Sequence, residues 1–306
     1  MKRLAKPIYV EIFIRGTMED LWRLTQTPEL HTRWDLRFSR IEYLPRLALA
    51  EPQRFRYSTR LGFGLTIEGH GETVGEAIES NVERSSALKF WSEDWKSLIR
   101  SGSGYWKYHA EEGGIRFLTL YDYKVRRGRI GYAFDAAIFR PLMGWATAWS
   151  FDRLRLWIEG QIAPEIALQR WLVYALARGS VAFVWIYHGV IPKLLFPQPD
   201  EASLLEAAGL PSTSIAFVLT VIGISEVLFG GILLSAWQWR WPPFCSIALM
   251  FLAALGVTLT SPQYLVAAFN PLTLNLCVAA LSAIALMTHS ARPSAGRCLR
   301  RPARRT

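Results

Sequence analysis

The chain has 306 residues, of which 51% are hydrophobic and 20% charged, with a net charge of +10 at neutral pH and a mean hydropathy of +0.15. This apolar content excludes a disordered chain, and the length allows two domains of ~100–200 residues each. The charges are unevenly spread, because residues 171–288 hold only seven charged side chains. We therefore expect a soluble half followed by a membrane half.

The first half is predicted to consist mainly of strands. Residues 7–15 alternate as a strand does, and Thr17 is placed to cap a short amphipathic helix over Met18–Thr25. A second helical turn begins at Pro28 and leads to Trp34. Further strand-like segments follow at Phe55–Leu61, Leu65–Ile78, Ala87–Trp91, Tyr105–His109 and Ile115–Val125.

A change of hydrophobic period after residue 128 predicts a long helix over about residues 133–159. Ile138, Leu142 and Trp145 recur at helical spacing within it. Pro141 either kinks this helix or marks the first turn of its main part. Residues 160–164 then form a linker that is too short to let the two halves separate far.

This order of elements is that of a helix-grip fold: a strand, two short helices, antiparallel strands and one long helix. With the pattern Pro28-x-x-His31-x-x-Trp34 and Glu42 shortly after, residues 6–160 resemble the START-like or SRPBCC superfamily, which includes polyketide cyclases. The resemblance implies an α+β domain over residues 1–162. Its curved sheet would wrap the long helix and enclose an apolar cavity for a lipid or another hydrophobic small molecule.

Candidate functional residues of this half cluster near the expected mouth of the cavity. His31 and Asp35 are the candidate catalytic pair, as general base and orienting group. The structural alternative is that Asp35 simply pairs with Arg37. His70 and Glu72 share one strand face and are expected inside the cavity. The candidate ligand-binding residues are Trp34, Arg37, His70, Glu72, Trp91, Tyr105 and Tyr121, although aromatic residues at strand spacing are more often ordinary core.

Several kinds of active site are not indicated by the sequence. It has no G-x-S-x-G nucleophile motif and no phosphate-binding loop. Its cysteines, Cys245, Cys277 and Cys298, lack the spacing of a zinc site or a disulfide framework. We expect neither a metal nor a cofactor.

Four apolar stretches in the second half are candidate membrane spans. They are Trp171–Leu195, Ser214–Trp237, Pro243–Thr260 and Phe269–Met287. Each approaches the ~20 residues that cross a hydrocarbon core. The alternative, buried helices of a soluble core, fits poorly with four such runs separated by short connections. We expect an all-α four-helix transmembrane bundle over residues 163–290.

The distribution of Lys and Arg predicts that both termini face the cytoplasm, as an even number of spans requires. The stretch Ile8–Ile14 is too short for a secretory signal and is broken by Glu11. We therefore expect a multi-pass protein of the bacterial inner membrane. The Arg-rich tail, residues 291–306, is expected to meet anionic lipid headgroups rather than nucleic acid. Homo-oligomers could form through the transmembrane helices.

Charged residues within the candidate spans invite an explanation, because they are costly in a bilayer. The first span contains Arg178, Tyr187, His188 and Lys193, and Glu226 lies in the middle of the second. We expect Glu226 to pair with Arg178 or His188, and Lys193 to reach the interface. One interpretation is a polar site for protons, a quinone or a lipid headgroup. The other is a buried ion pair that fixes the helix register.

The pattern Trp-x-Tyr-x-Gly-x-x-Pro-Lys at residues 185–193 and Glu-x-x-x-Gly at 226–230 resembles the DoxX-like family of four-helix membrane proteins. The resemblance covers about residues 170–288. The family is named after a subunit associated with thiosulfate:quinone oxidoreduction, and its members mostly have no established activity. The leading hypothesis is a non-enzymatic START-like domain that binds a hydrophobic molecule near the inner leaflet. The alternatives are a quinone-reactive membrane oxidoreductase and a cyclase-like enzyme acting on a lipidic substrate.

Overall fold

The computed structural model describes residues 6–46, 48, 51–78 and 82–302. The chain divides into two compact units. The first contains the residues up to Leu168 together with those from Ala291 onward, and the second is Gln169–Ser290. The chain therefore leaves the first unit and later returns to it. Residues 291–302, which the sequence suggested as a separate tail, are part of the first unit.

A seven-stranded antiparallel sheet forms the first unit. Its strands are β1 (Ile8–Ile14), β2 (Arg40–Tyr43), β3 (Arg54–Arg60), β4 (Thr66–Ile78), β5 (Glu83–Trp91), β6 (Ile99–Glu111) and β7 (Gly114–Val125). They lie in the order β1-β7-β6-β5-β4-β3-β2. All the predicted strands are present. Strand β2, which has only four residues, was not predicted, because so short a segment shows no clear alternation.

Two short helices follow β1, as predicted. Helix α1 is Met18–Gln26 and α2 is Pro28–Trp34. The hydroxyl of Thr17 accepts a hydrogen bond from the Asp20 N–H at 3.1 Å, so it satisfies one of the free donors at the start of α1. Both helices contribute buried side chains to the core on one face of the sheet, which we call the inner face. The central rings of this core belong to Trp34, Trp106, Tyr108, Phe117 and Phe151.

The predicted long helix consists of three segments. Helix α3 (Gly128–Phe134) leads into a π-helical turn (Asp135–Phe139), which continues as α4 (Arg140–Gly160). Pro141 lies in the first turn of α4, directly after the π-helical turn, which is one of the two places that the sequence predicted for it. The long helix packs on the inner face of the sheet. The first unit thus has the α+β, helix-grip arrangement that the sequence predicted.

The segment 291–302 completes the first unit along one edge. The backbone N–H and carbonyl of Leu299 both bond to the backbone of Glu11 at 2.9 Å, so the edge strand β1 gains an additional partner. The Ser294 N–H donates to the buried carboxylate of Asp152 at 2.7 Å. The Cys298 side chain of this segment is buried, and its sulfur lies 3.2 Å from the Ala148 carbonyl oxygen of α4.

The second unit is helical. Its helices are α5 (Pro164–Gly189, which begins in the first unit), a π-helical extension (Val190–Leu195), α6 (Pro199–Ala207), α7 (Ser212–Ser235), α8 (Trp241–Thr260), a short 3₁₀ helix (Pro262–Val266) and α9 (Pro271–Met287). Within the described part of the chain, α7 and α8 are long and apolar enough to cross a membrane. The stretch Pro164–Leu195 passes the same test only together with α6, across a bend of 95°. Helix α9 has 17 residues, so a bundle of four spans is not confirmed.

Glycines bring α5 and α7 into close contact. A Cβ atom added at Gly230 would lie 2.5 Å from Cγ1 of Ile186 and 3.0 Å from the Ala182 carbonyl oxygen. One added at Gly189 would lie 2.5 Å from the Gly223 carbonyl oxygen. The two backbones therefore pack at a distance that larger residues would not allow, a common feature of helix pairs in membranes.

Candidate functional sites

In the first unit, three charged or polar side chains meet at the end of α2. The Asp35 carboxylate accepts hydrogen bonds from Arg37 Nε at 2.9 Å and Arg37 Nη2 at 2.7 Å. His31 Nε2 lies 3.0 Å from Asp35 Oδ2, one helical turn away. Asp35 is only 1% exposed. Both predicted pairings of Asp35, with His31 and with Arg37, are therefore present at once.

Two opposing effects act on the pKa of Asp35. Burial favours the neutral acid, but the positive charge of Arg37 and the hydrogen bonds from His31 and Arg37 outweigh it. The pKa of this carboxyl is held well below its ordinary value. Asp35 is therefore a permanent carboxylate that orients its neighbours rather than an acceptor of protons at neutral pH.

Aromatic rings surround this polar group. The His31 ring stacks on Trp34 with ring centroids 4.9 Å apart. It also meets Phe38 and Trp106 edge-on, at 5.3 and 5.0 Å. The apolar rings limit the access of water to the site, which strengthens its electrostatic interactions.

Tyr121 of β7 connects the polar group to the long helix. Its ring centroid lies 5.5 Å from the Arg37 guanidinium carbon, and its hydroxyl is 2.9 Å from the hydroxyl of Thr147. Burial raises the pKa of Tyr121, so the phenol remains neutral and can act as a hydrogen-bond donor.

Aromatic rings on the inner face of β3 and β5 lie over glycines of neighbouring strands. A Cβ added at Gly69 would overlap the Tyr57 ring at 2.3 Å, and one at Gly102 would lie 2.4 Å from the tip of Phe90. Tyr57 and Phe90 are half-buried, and burial raises the pKa of Tyr57 to about 12. The Phe38 ring contacts both Tyr57, at 5.5 Å, and His31, at 5.3 Å, and so links Tyr57 to the polar group. Sequence reasoning missed Tyr57, because the signal lies in the pairing of Tyr57 with Gly69, which only the strand register reveals.

His70 and Glu72 do not lie at this site. Successive strand residues point to opposite faces, and in β4 the glycines Gly69 and Gly71 occupy the inner face beneath aromatic rings. His70 and Glu72 therefore lie on the outer face. Trp91 lies there too, with its ring 6.1 Å from that of His70.

Tyr105 also lies on the outer face of the sheet. Its neighbour in β6, Trp106, belongs to the buried core, so Tyr105 points the other way. Of the predicted ligand-binding residues, the structure thus brings together Trp34, Arg37 and Tyr121. Among the described residues, no group of three or more His, Cys, Asp or Glu side chains is arranged to hold a metal ion.

The second unit contains a separate polar group. Lys193 Nζ lies 3.2 Å from Glu226 Oε2 and 3.2 Å from Glu201 Oε1. Lys193 belongs to the π-helical extension of α5, Glu201 to α6 and Glu226 to α7. Lys193 is buried between these two carboxylates, and its expected reach to the membrane interface stays a prediction.

Arg178 does not belong to that group. Its guanidinium donates to the carbonyl oxygens of Leu233, Ala236 and Trp239 at 2.6 to 2.9 Å, and to the Tyr174 hydroxyl at 2.7 Å. It thus satisfies carbonyls at the C-terminal end of α7, where a cation is favourable. The partner of Glu226 is Lys193 rather than Arg178 or His188.

The other two predicted residues lie before Lys193 on α5. His188 precedes Gly189, the residue in close contact with α7. The ring of Tyr187 is exposed and lies 6.2 Å from that of His188. The expected polar site is therefore not assembled as one chain of hydrogen bonds through Arg178, His188 and Glu226.

The two units together define a membrane protein in which an α+β unit is joined to a helical unit. Residues 182–283 match the model of the DoxX-like family. The uncharacterized membrane protein YndG of Bacillus subtilis (strain 168) is 49% identical over 185 residues, which cover 60% of this chain and 69% of YndG. The chain belongs to the same family as YndG, and its second unit is DoxX-like.

Solved structures also resemble part of the chain. TTHA0849 from Thermus thermophilus has a TM-score of 0.36 and 17% identity, over 45% of this chain and 86% of that protein. The di-domain ARO/CYC protein StfQ of the steffimycin biosynthetic pathway has a TM-score of 0.40 and 13% identity, over 51% and 50%. SA2116 from Staphylococcus aureus, a protein of unknown function, has a TM-score of 0.39 and 13% identity, over 51% and 94%.

Proposed function

We propose that this chain is a membrane-anchored binding protein whose first unit takes up a hydrophobic molecule bearing a polar group. The observation that carries the proposal is the buried group of His31, Asp35 and Arg37 among aromatic rings on the inner face of the sheet. Binding sites for small molecules are mostly apolar and contain a few fixed polar groups.

Burying the charges of Asp35 and Arg37 costs free energy. Replacing a buried ion pair with apolar residues is often neutral or stabilising, so stability alone is a weak reason for this pair. Arg37 and Asp35 neutralise each other, which favours an uncharged ligand. The Tyr57 hydroxyl makes no hydrogen bond to any other described residue, so it is available to a hydroxyl or carbonyl of the ligand. The rings of Tyr57 and Phe90 supply apolar area, at roughly 25 cal/mol per Å² buried.

The proposal places the first unit in the cytoplasm, close to the inner leaflet. The chain leaves this unit at Leu168 and returns to it at Ala291, so the intervening segment must cross the membrane an even number of times. The stretch Pro164–Leu195, α7, α8 and α9 would provide four crossings, since about 17 apolar residues are sufficient. The uneven distribution of Lys and Arg in the short loops favours cytoplasmic termini.

Native mass spectrometry of the detergent-purified full-length protein tests the binding. The full chain is needed because a fragment ending near residue 165 lacks the segment 291–302. We expect a hydrophobic molecule to co-purify and to be retained less by Tyr57→Phe. Tyr105→Phe, which removes a tyrosine hydroxyl from the outer face, is the matched control and should retain the molecule fully.

The absence of any bound molecule, or an equal loss of it from both variants, contradicts the proposal. A quinone retained equally by all forms would assign binding to the second unit.

A cyclase-like enzyme is the second candidate, and the 3.0 Å contact between His31 Nε2 and Asp35 favours it. The carboxylate fixes the ring and leaves Nδ1 for proton transfer. His31→Gln separates the two functions in the same mass measurement. An enzyme would accumulate unconverted ligand in this variant, whereas a carrier would hold the same molecule as the unmodified protein.

A further inference from the structure

The segment from Ile130 to Leu142 is a surface helix without exposed charge. Large apolar side chains recur on it every four residues, at Ile130, Phe134, Ile138 and Leu142. Ile130 is 81% exposed, Ile138 55% and Leu142 53%. We call these four residues the apolar row. A contiguous apolar surface of this kind usually marks a membrane or protein interaction site.

The charges of this segment are also distributed unevenly. Asp135 is the only acidic residue between residues 126 and 142, and its buried carboxylate accepts hydrogen bonds from Arg140 and Tyr123 at 2.8 Å. Arg127 and Arg129 are exposed immediately before the apolar row. The exposed surface is thus cationic at one end and apolar along the rest.

The π-helical turn keeps the apolar row straight. Four residues of an α-helix overshoot a full turn by about 40°, so a row with this spacing gradually winds around the helix. A π-helix has more residues per turn and offsets this rotation. Because the π-helical turn Asp135–Phe139 lies in the middle of the segment, the four side chains remain on one side. A π-helical turn within an α-helix is often found at a functional site.

We infer that the apolar row lies against the lipid bilayer, as an interfacial helix whose arginines meet anionic headgroups. A helix with this division between cationic and apolar surface binds membranes through buried apolar area and attraction to anionic lipid. The short linker from α4 to α5, at residues 161–163, keeps the first unit beside a membrane. This membrane contact does not depend on ligand binding. It is tested by the accessibility of a spin label, whereas ligand binding is tested by mass spectrometry.

Site-directed spin labelling of the full-length protein in phosphatidylglycerol–phosphatidylcholine vesicles tests the contact. A label is introduced by Ile138→Cys, after the three native cysteines are replaced by alanine. The matched control is Val74→Cys on β4, whose side chain is 52% exposed. We expect the label at 138 to be accessible to oxygen and protected from a water-soluble nickel complex. The label at 74 should show the reverse.

Equal accessibility of both labels to the nickel complex overturns the inference. So does strong spin–spin broadening at 138 that disappears on dilution with unlabelled protein, because the occupant is then a second copy of the chain. In a further variant, Arg127→Glu with Arg129→Glu, the protection at 138 should fall severalfold in vesicles that contain phosphatidylglycerol. Circular dichroism of each variant checks that the fold is retained.

Discussion

Lys193 lies between Glu201 and Glu226, with its ammonium nitrogen 3.2 Å from a carboxylate oxygen of each. The side chain is only 6% exposed. Three elements that are separate in sequence, the π-helical extension of α5, α6 and α7, are thus held by one cation. Removing that cation would leave two carboxylates facing each other without compensation.

We predict that Lys193→Met destabilises the protein strongly. Breaking a buried ion pair on one side costs about 3–5 kcal/mol, because the remaining charge is uncompensated. Tryptophan fluorescence during thermal unfolding in detergent measures the effect. The double variant Lys193→Met with Glu226→Leu should recover part of the loss. If the effects of the two single variants simply add, Lys193 and Glu226 are not coupled.

The acid sensitivity of the first unit should depend on Arg37. Because the folded-state pKa of Asp35 is depressed, its contribution to stability is present above the unfolded pKa of about 4 and is lost as the pH falls below it. In Arg37→Gln, burial acts without the opposing arginine and raises this pKa. The free energy of unfolding of the variant should therefore be about 3–5 kcal/mol lower than that of the unmodified protein at pH 8. This difference should become smaller at pH 5.

Denaturant unfolding at the two pH values measures this difference. Arg33→Gln is the control, since Arg33 pairs with Glu165 at an exposed position, where an ion pair is worth at most about 1 kcal/mol. If Arg37→Gln lowers the free energy of unfolding by the same amount at pH 8 and pH 5, Asp35 remains charged without its partner, and the prediction is wrong.

Six of the seven strands of the first unit could be predicted from the sequence, but the faces of β4 could not. Alternation shows that His70 and Glu72 share a face, yet it does not identify the inner one. That is decided by Tyr57, which fills the space above Gly69 on the paired strand. Such a fit depends on the register between strands, which a single sequence does not specify.

The polar residues of the second unit illustrate a different limit. Hydropathy predicted that Glu226 needs a partner, and it has one in Lys193. The choice among Arg178, His188 and Lys193 depended on how α5 ends. Pro192 falls within the π-helical extension, which changes the direction of every later side chain. The helical period of the sequence alone gives no indication of that change.

The close packing of α7 against α5 predicts opposite effects for two adjacent glycines. At Gly230, alanine would place its Cβ 2.5 Å from Ile186, so overpacking should cost about 1–3 kcal/mol. At Gly231, no atom lies within 4 Å of the added Cβ. Gly231→Ala should therefore be neutral or stabilise by up to about 1 kcal/mol through helix propensity. Thermal unfolding in detergent compares the two variants. Equal unfolding temperatures would contradict the close contact of Gly230 with Ile186.

Leu299 holds the returning chain against β1 of the first unit through its two backbone hydrogen bonds to Glu11. Leu299→Pro removes the N–H that bonds to Glu11, whereas Leu299→Ala keeps it and changes only an exposed side chain. Burial raises the pKa of the neighbouring Cys298 thiol, which protects it from alkylation. In a background with Cys245→Ala and Cys277→Ala, Leu299→Pro should expose Cys298 and accelerate its reaction with a maleimide at least tenfold, corresponding to about 1.4 kcal/mol of lost protection. Leu299→Ala should react as slowly as the parent. Rapid reaction of the parent itself would mean that the segment 291–302 is not held against β1, and the chain would then not be required to cross the membrane an even number of times.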